Sequence, residues 1–167
     1  GQPRGSEKAE AFNQQQGIYH VVVFDLEGIK DIQRIESVVG ATTLASESGR
    51  EVFYAHTETE LDLILVGVTE AGIAPGEMAM DVLDETLFRY FSHHGIDSTI
   101  CVINTDNIRN NGHIIQNILI NEYPLRSTKY SDWLSQNVGF LDEMGDRIVP
   151  QSQDVQEEMR QEAAERI

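Results

Sequence analysis

Two short apolar runs, residues 61–68 and 98–103, stand on either side of an amphipathic stretch at 77–94, and this order constrains the chain more than any other feature. Both runs have the length and β-branched content of strands buried in a parallel sheet. Between them, Met80, Leu83, Leu87 and Phe91 recur at helical spacing on one face, and Pro75-Gly76 breaks the chain just before. Strand, helix and strand in that order make a βαβ unit, for which a right-handed crossover is the default.

Open α/β sheets place their ligands where strands end and helices begin. Thr69-Glu70-Ala71-Gly72 follows the first run. Thr105-Asp106-Asn107-Ile108-Arg109-Asn110-Asn111-Gly112 follows the second, ahead of a helical face at Ile114, Ile115, Ile118 and Leu119. Asp106, Asn110 and Asn111 have two uses here, capping the free N–H groups of a first turn or meeting a substrate. Asn107 is the amide least suited to capping alone.

The remaining segments fit the same class. Residues 6–16 have a Ser cap and an acidic first turn and stop at Gly17, the pattern of a helix. Residues 18–24 and 30–39 form a predicted hairpin turning at Leu26-Glu27-Gly28, with alternating polarity at Ile32, Arg34 and Glu36. A short helix is expected over 47–57, although Gly49 weakens it. Pro124 ends a helix over 114–122, and a short segment at 130–136 leads into Val138-Gly139-Phe140-Leu141. Residues 154–167 carry only Val155, Met159, Ala163 and Ile167 on an apolar face, as a solvated surface helix does.

With 28 acidic and 12 basic residues the net charge is −16, which argues against binding a nucleic-acid backbone or an anionic membrane surface. No run approaches the roughly 20 apolar residues of a membrane span, and residues 1–16 are too polar for a signal peptide. The single cysteine, Cys101, lies between Ile100 and Val102 and reads as buried core. It allows no intrachain disulfide, so a cytoplasmic setting is expected. His93-His94 and His113 lack the spacing and the carboxylate or thiolate company of metal ligands, so no metal is expected. There is no Gly-x-Ser-x-Gly elbow of a hydrolase.

Taken in order, Gln16-Gly17-Ile18-Tyr19, Thr69-Glu70-Ala71-Gly72, Asp106-Asn107 with Asn111-Gly112, and Val138-Gly139-Phe140 leading to Asp146-Arg147-Ile148-Val149-Pro150 resemble the polyol-specific long-chain dehydrogenases. That family includes the mannitol dehydrogenases and the tagaturonate and fructuronate reductases, and the resemblance covers roughly residues 14–150. It implies metal-independent hydride transfer between NAD or NADP and a small sugar-derived alcohol, ketose or hexuronate. It implies an α/β, Rossmann-like, mostly parallel sheet with flanking helices and an inserted β-hairpin. Residue by residue, Asn107 matches the oxyanion-stabilising asparagine, Glu70 an acidic residue near the proton path, and Asp146 a substrate-hydroxyl ligand. Thr69 and Asn107 fall at cofactor-binding positions.

The chemistry suits these residue types. An amide N–H aimed at a carbonyl oxygen stabilises charge developing there, which an aspartate at 107 could not do. Asp146 can accept hydrogen bonds from two hydroxyls, and the planar fork of Arg147 fits a carboxylate or phosphate. Asp146 and Arg147 can equally form a local ion pair, and Glu70 can cap the next turn.

Two departures qualify the resemblance. No Gly-rich turn follows a first strand to admit a pyrophosphate, and none of Lys8, Lys30 or Lys129 lies in the family's general-base motif. The expected organisation is therefore a partial nucleotide-binding domain over residues 1–150, lacking the first βαβ segment, with an acidic helix at 151–167 leading toward a helical substrate domain. The alternative is a non-catalytic α/β domain serving oligomerisation or partner binding, and the sequence leaves the substrate, NAD against NADP and the oligomeric state open.

Overall fold

The structure, a computed structural model, describes residues 6–25, 28–143 and 157–166. Its elements are α1 (Ser6–Gln14), β1 (Tyr19–Asp25), β2 (Gly28–Ile35), α2 (Glu47–Ala55), β3 (Leu63–Val66), α3 (Met78–His94), β4 (Ile100–Asn104), α4 (Asn111–Asn121), α5 (Thr128–Gln136), β5 (Val138–Leu141) and α6 (Glu157–Arg166). The chain divides into two compact units, Gly1–Phe53 with Ile148–Ile167, and Tyr54–Arg147.

In the Tyr54–Arg147 unit, β3, β4 and β5 make a wholly parallel sheet in that spatial order. Leu63 pairs with Cys101 and Val66 with Asn104, while Ile100 pairs with Val138 and Ile103 with Leu141. The βαβ unit read from the sequence is present as β3, α3 and β4. Gly76, at φ 81°, turns the chain into α3, and Gly95, at φ 84°, ends it by donating to the Phe91 carbonyl at 2.8 Å. Ser127 Oγ caps α5 by accepting from Tyr130 N–H at 3.1 Å, so this helix starts ahead of the segment expected from residue 130.

The core joins one face of the sheet to all three helices. Met80, Leu83 and Leu87 of α3 meet Ile100 and Val102 of β4, Ile115 and Leu119 of α4, and Tyr130, Trp133 and Leu134 of α5. Burial of side chains this size contributes roughly 1.5–3 kcal/mol each. Trp133 is fully buried, and its indole N–H donates to the Ser98 carbonyl at 2.7 Å.

The other sheet face corrects the expectation of strands buried on both sides. With α3, α4 and α5 on one face, burial along β4 alternates, and Cys101 is half-buried rather than core. Opposite the helices, Leu63, Leu65 and Leu141 are 44%, 64% and 47% exposed.

The other unit contains the predicted hairpin, β1 and β2 antiparallel from Tyr19–Ile35 to Asp25–Gly28, with a bulge at Val23/Phe24. β2 ends at Ile35 and not at Val39, because the following residues fold back on α1. Gly17, at φ 75°, lies so close to the Val38 carbonyl that no side chain fits between them. The Asn13 amide pairs with both backbone groups of Ala41, at 2.7 and 2.8 Å. Gly49 is explained by the same kind of approach, against the Thr43 carbonyl, so α2 forms despite it. In α6, Ala163 is buried and the helix packs on β2, while residues 164–166 are exposed.

Candidate functional site at the carboxyl edge of the parallel sheet

β3 and β4 end side by side, and Thr105 N–H donates to the Val66 carbonyl at 2.9 Å. The two candidate loops therefore leave the sheet from neighbouring strands. In the first, Gly72 N–H donates to the Thr69 carbonyl at 2.7 Å and closes a 3-10 turn over Glu70–Gly72. Thr69 and Glu70 are both exposed, and Thr69 makes no capping bond. The Glu70 carboxylate does not cap the next turn, having no hydrogen-bond partner among the described residues.

In the second loop, Asn104 Oδ1 accepts from Asp106 N–H at 3.1 Å and Asp106 O accepts from Ile108 N–H at 2.9 Å. Asn110 then takes a left-handed conformation, φ 56° and ψ 35°, which asparagine tolerates better than most residues. Between these fixed points Asn107 is exposed, and among the described residues its side chain makes no hydrogen bond.

The helix-capping alternative for Asp106, Asn110 and Asn111 is not what the structure shows. The cap of α4 comes from beyond β5. Asp142 Oδ1 accepts from the N–H groups of Gly112 and His113 at 2.9 and 3.3 Å, and Oδ2 lies 2.9 Å from His113 Nδ1. Partial burial pushes the Asp142 carboxyl up, but these N–H groups and the His113 ring together hold it below its usual range. Sequence reasoning missed Asp142, since nothing local to it signals a helix 30 residues earlier.

Asn111 is fully buried and spends its amide on backbone. Nδ2 donates toward the carbonyls of Asn104, Asp106 and Glu143 at 3.1, 2.8 and 2.6 Å, and Oδ1 accepts from Glu143 N–H at 3.1 Å. Asn104 is also fully buried, and among the described residues its Nδ2 has no partner. An unmet donor of this kind costs about 1–3 kcal/mol.

Asp146 and Arg147 lie outside the described residues, three and four positions past Glu143. His94 Nε2 lies 3.0 Å from the Thr57 carbonyl, at the opposite end of the strands. Among the described residues no group of His, Cys, Asp or Glu converges as a metal site, and no helix is long and apolar enough to cross a membrane.

A parallel sheet with helical crossovers and polar loops at its carboxyl edge defines a Rossmann-type α/β domain. The same fold is seen in the Pseudomonas fluorescens mannitol 2-dehydrogenase ternary complex with NAD and D-mannitol, with TM-score 0.67, 14% identity, and coverage of 83% of this chain and 32% of that one. Residues 6–166 match the mannitol dehydrogenase Rossmann domain, and the chain belongs to that family.

Among relatives, altronate oxidoreductase of Bacillus subtilis is 29% identical over 171 residues, 89% of this chain and 34% of its own length. Mannitol 2-dehydrogenase of Phaeosphaeria nodorum is 24% identical over 177 residues, 92% of this chain and 30% of its own length. The chain thus spans about a third of the length of these relatives.

Proposed function

We propose that this chain is the Rossmann-type portion of an oxidoreductase moving hydride between NAD(P)(H) and a sugar alcohol, ketose or hexuronate. In this reading residues 1–150 are a partial nucleotide-binding domain, and the helix at 151–167 leads toward a helical substrate domain. The supporting observation is the exposed amide of Asn107, which has no hydrogen-bond partner among the described residues and stands at the sheet edge between the buried Asn104 and Asn111. A cytoplasmic setting fits the lone Cys101.

Thr69 and Asn107 offer the neutral hydrogen-bonding groups that suit a nicotinamide riboside, while the amino terminus of α4 is already filled by Asp142 and does not receive a phosphate. NAD(P)(H) supplies or takes up the hydride when bound. The Asn107 amide donates to the substrate oxygen and stabilises the negative charge that develops on it. Glu70 stands near the proton path, Asp146 accepts from substrate hydroxyls, and Arg147 meets a substrate carboxylate or phosphate.

Calorimetric titration of the 167-residue chain with NADH, after circular dichroism has established that it is folded, tests the cofactor site. Uptake of NADH supports a usable nucleotide site in this chain; a folded chain that takes up none is what a partial domain predicts, and it moves the catalytic assignments onto the longer oxidoreductase. The exposed Leu63, Leu65 and Leu141 favour a second reading, an α/β domain used for oligomerisation or partner binding. It predicts self-association or partner capture together with no NADH uptake.

A further inference from the structure

Asn111 treats Glu143 as a strand treats its neighbour. Its side-chain amide gives Nδ2–H to the Glu143 carbonyl at 2.6 Å and takes Glu143 N–H on Oδ1 at 3.1 Å, just past the end of β5. The remaining donor capacity of the same nitrogen goes to the carbonyls of Asn104 and Asp106, which are the base of the loop that presents Asn107. Two neighbours reinforce this join. Asp142 holds the N–H groups of Gly112 and His113, and Gly112 meets Leu141 through bare backbone. Asn104 takes Asp106 N–H on its Oδ1, so both groups of the Asp106 peptide that face inward are fixed by buried amides.

We propose that Asn111 is a positioning residue for Asn107. It fastens the base of the Asn107 loop to the end of β5, so that the exposed amide is presented in a preset place and does not have to be ordered by the substrate. The proposal rests on the reading of Asn107 as the group that meets the substrate oxygen.

Hydrogen exchange on the 167-residue chain tests the fastening without reference to turnover. Asn111→Ser should speed exchange at the Asp106 and Glu143 amides by about tenfold or more, while the Cys101 amide, bonded to the Asp62 carbonyl, stays as slow as in the parent. Asn111→Gln, which keeps an amide but carries it past Glu143, should show the same pattern and serves if the serine variant does not fold. Unchanged exchange at Asp106 and Glu143, or equal acceleration at Cys101, overturns the proposal.

Turnover of the oxidoreductase carrying this chain separates positioning from general support. Asn111→Ser should lower kcat by about tenfold, and by less than about twofold once Asn107 is already alanine. An equal loss in both backgrounds overturns a role through Asn107. An inert Asn107→Ala, with the local exchange changes intact, instead removes the assignment of Asn107 and this role with it.

Discussion

A β-carbon on Gly112 would stand 2.6 Å from both the carbonyl carbon and the oxygen of Leu141, so the first turn of α4 and the end of β5 touch with no side chain between them. Backbone on both sides leaves little room to yield. Gly112→Ala should therefore destabilise the chain by about 1–3 kcal/mol or more, the range for overpacked sites. Urea unfolding measures this, and a midpoint equal to the parent's would show that the end of β5 moves freely.

Asp84 is only 4% exposed within α3, and the guanidinium of Arg126 meets it at 2.6 Å while Tyr130 donates to it at 3.1 Å. Removing the cation strands a buried carboxylate. Arg126→Met should cost about 3–5 kcal/mol, and adding Asp84→Leu should recover much of the loss. Chemical denaturation of the single and double variants checks both steps.

Tyr123 donates to Asp81 at 2.6 Å, and burial together with this bond pushes its hydroxyl up from 10.0 to about 12, against a smaller opposing pull from Gly76 N–H. The folded state thus holds this proton longer than the unfolded one. Its contribution is complete below pH 10 and is lost as the pH rises from 10 to about 12. Stability measured across that interval should fall less steeply in Tyr123→Phe.

Asp142 behaves in the opposite sense. Its carboxyl is held below the usual value of 3.8, so its contribution is present above that value and is lost as the pH falls through the lowered one. Asp142→Asn should remove this acid-limb dependence. Unfolding curves between neutral pH and the acid limb decide it, and identical slopes in parent and variant would count against the cap.

In the proposed oxidoreductase, Asn107→Ala should reduce kcat about a hundredfold or more, the usual loss on removing one oxyanion donor. Asn107→Asp should be at least as damaging, because it places a negative charge where one develops. Steady-state kinetics with a sugar alcohol and with a hexuronate would give the magnitude, and an unchanged kcat would remove the assignment.

Much of the fold was legible because its signals are local. The apolar runs gave the parallel strands, helical spacing gave α3 and α4, and alternation at Ile32, Arg34 and Glu36 gave the hairpin. What was hidden depends on contacts distant in sequence. The end of β2 is set by Gly17 against Val38 and by Asn13 pairing with Ala41, 28 residues on. An apolar run cannot tell that α3, α4 and α5 all share one face, so the exposure of Leu65 and the half-burial of Cys101 were not foreseeable. At the site, Asp106 to Gly112 stood out correctly as a strand-to-helix junction. The division of labour among its amides did not, since Asn111 finds its partner at Glu143, 32 residues away.

Asn111 and Gly112 also form a dipeptide in which the glycine nitrogen can attack the preceding side-chain carbonyl and expel ammonia, giving a cyclic imide that water then opens to aspartate or isoaspartate. In the folded chain that nitrogen is tied to Asp142 and both ends of the Asn111 amide are engaged, so the reaction waits for this corner to open. The carboxylate formed would face the carbonyls of Asn104, Asp106 and Glu143 and could not restore the join. Damage at this dipeptide therefore accumulates in proportion to the fraction of time the corner stands open, and each completed event is irreversible.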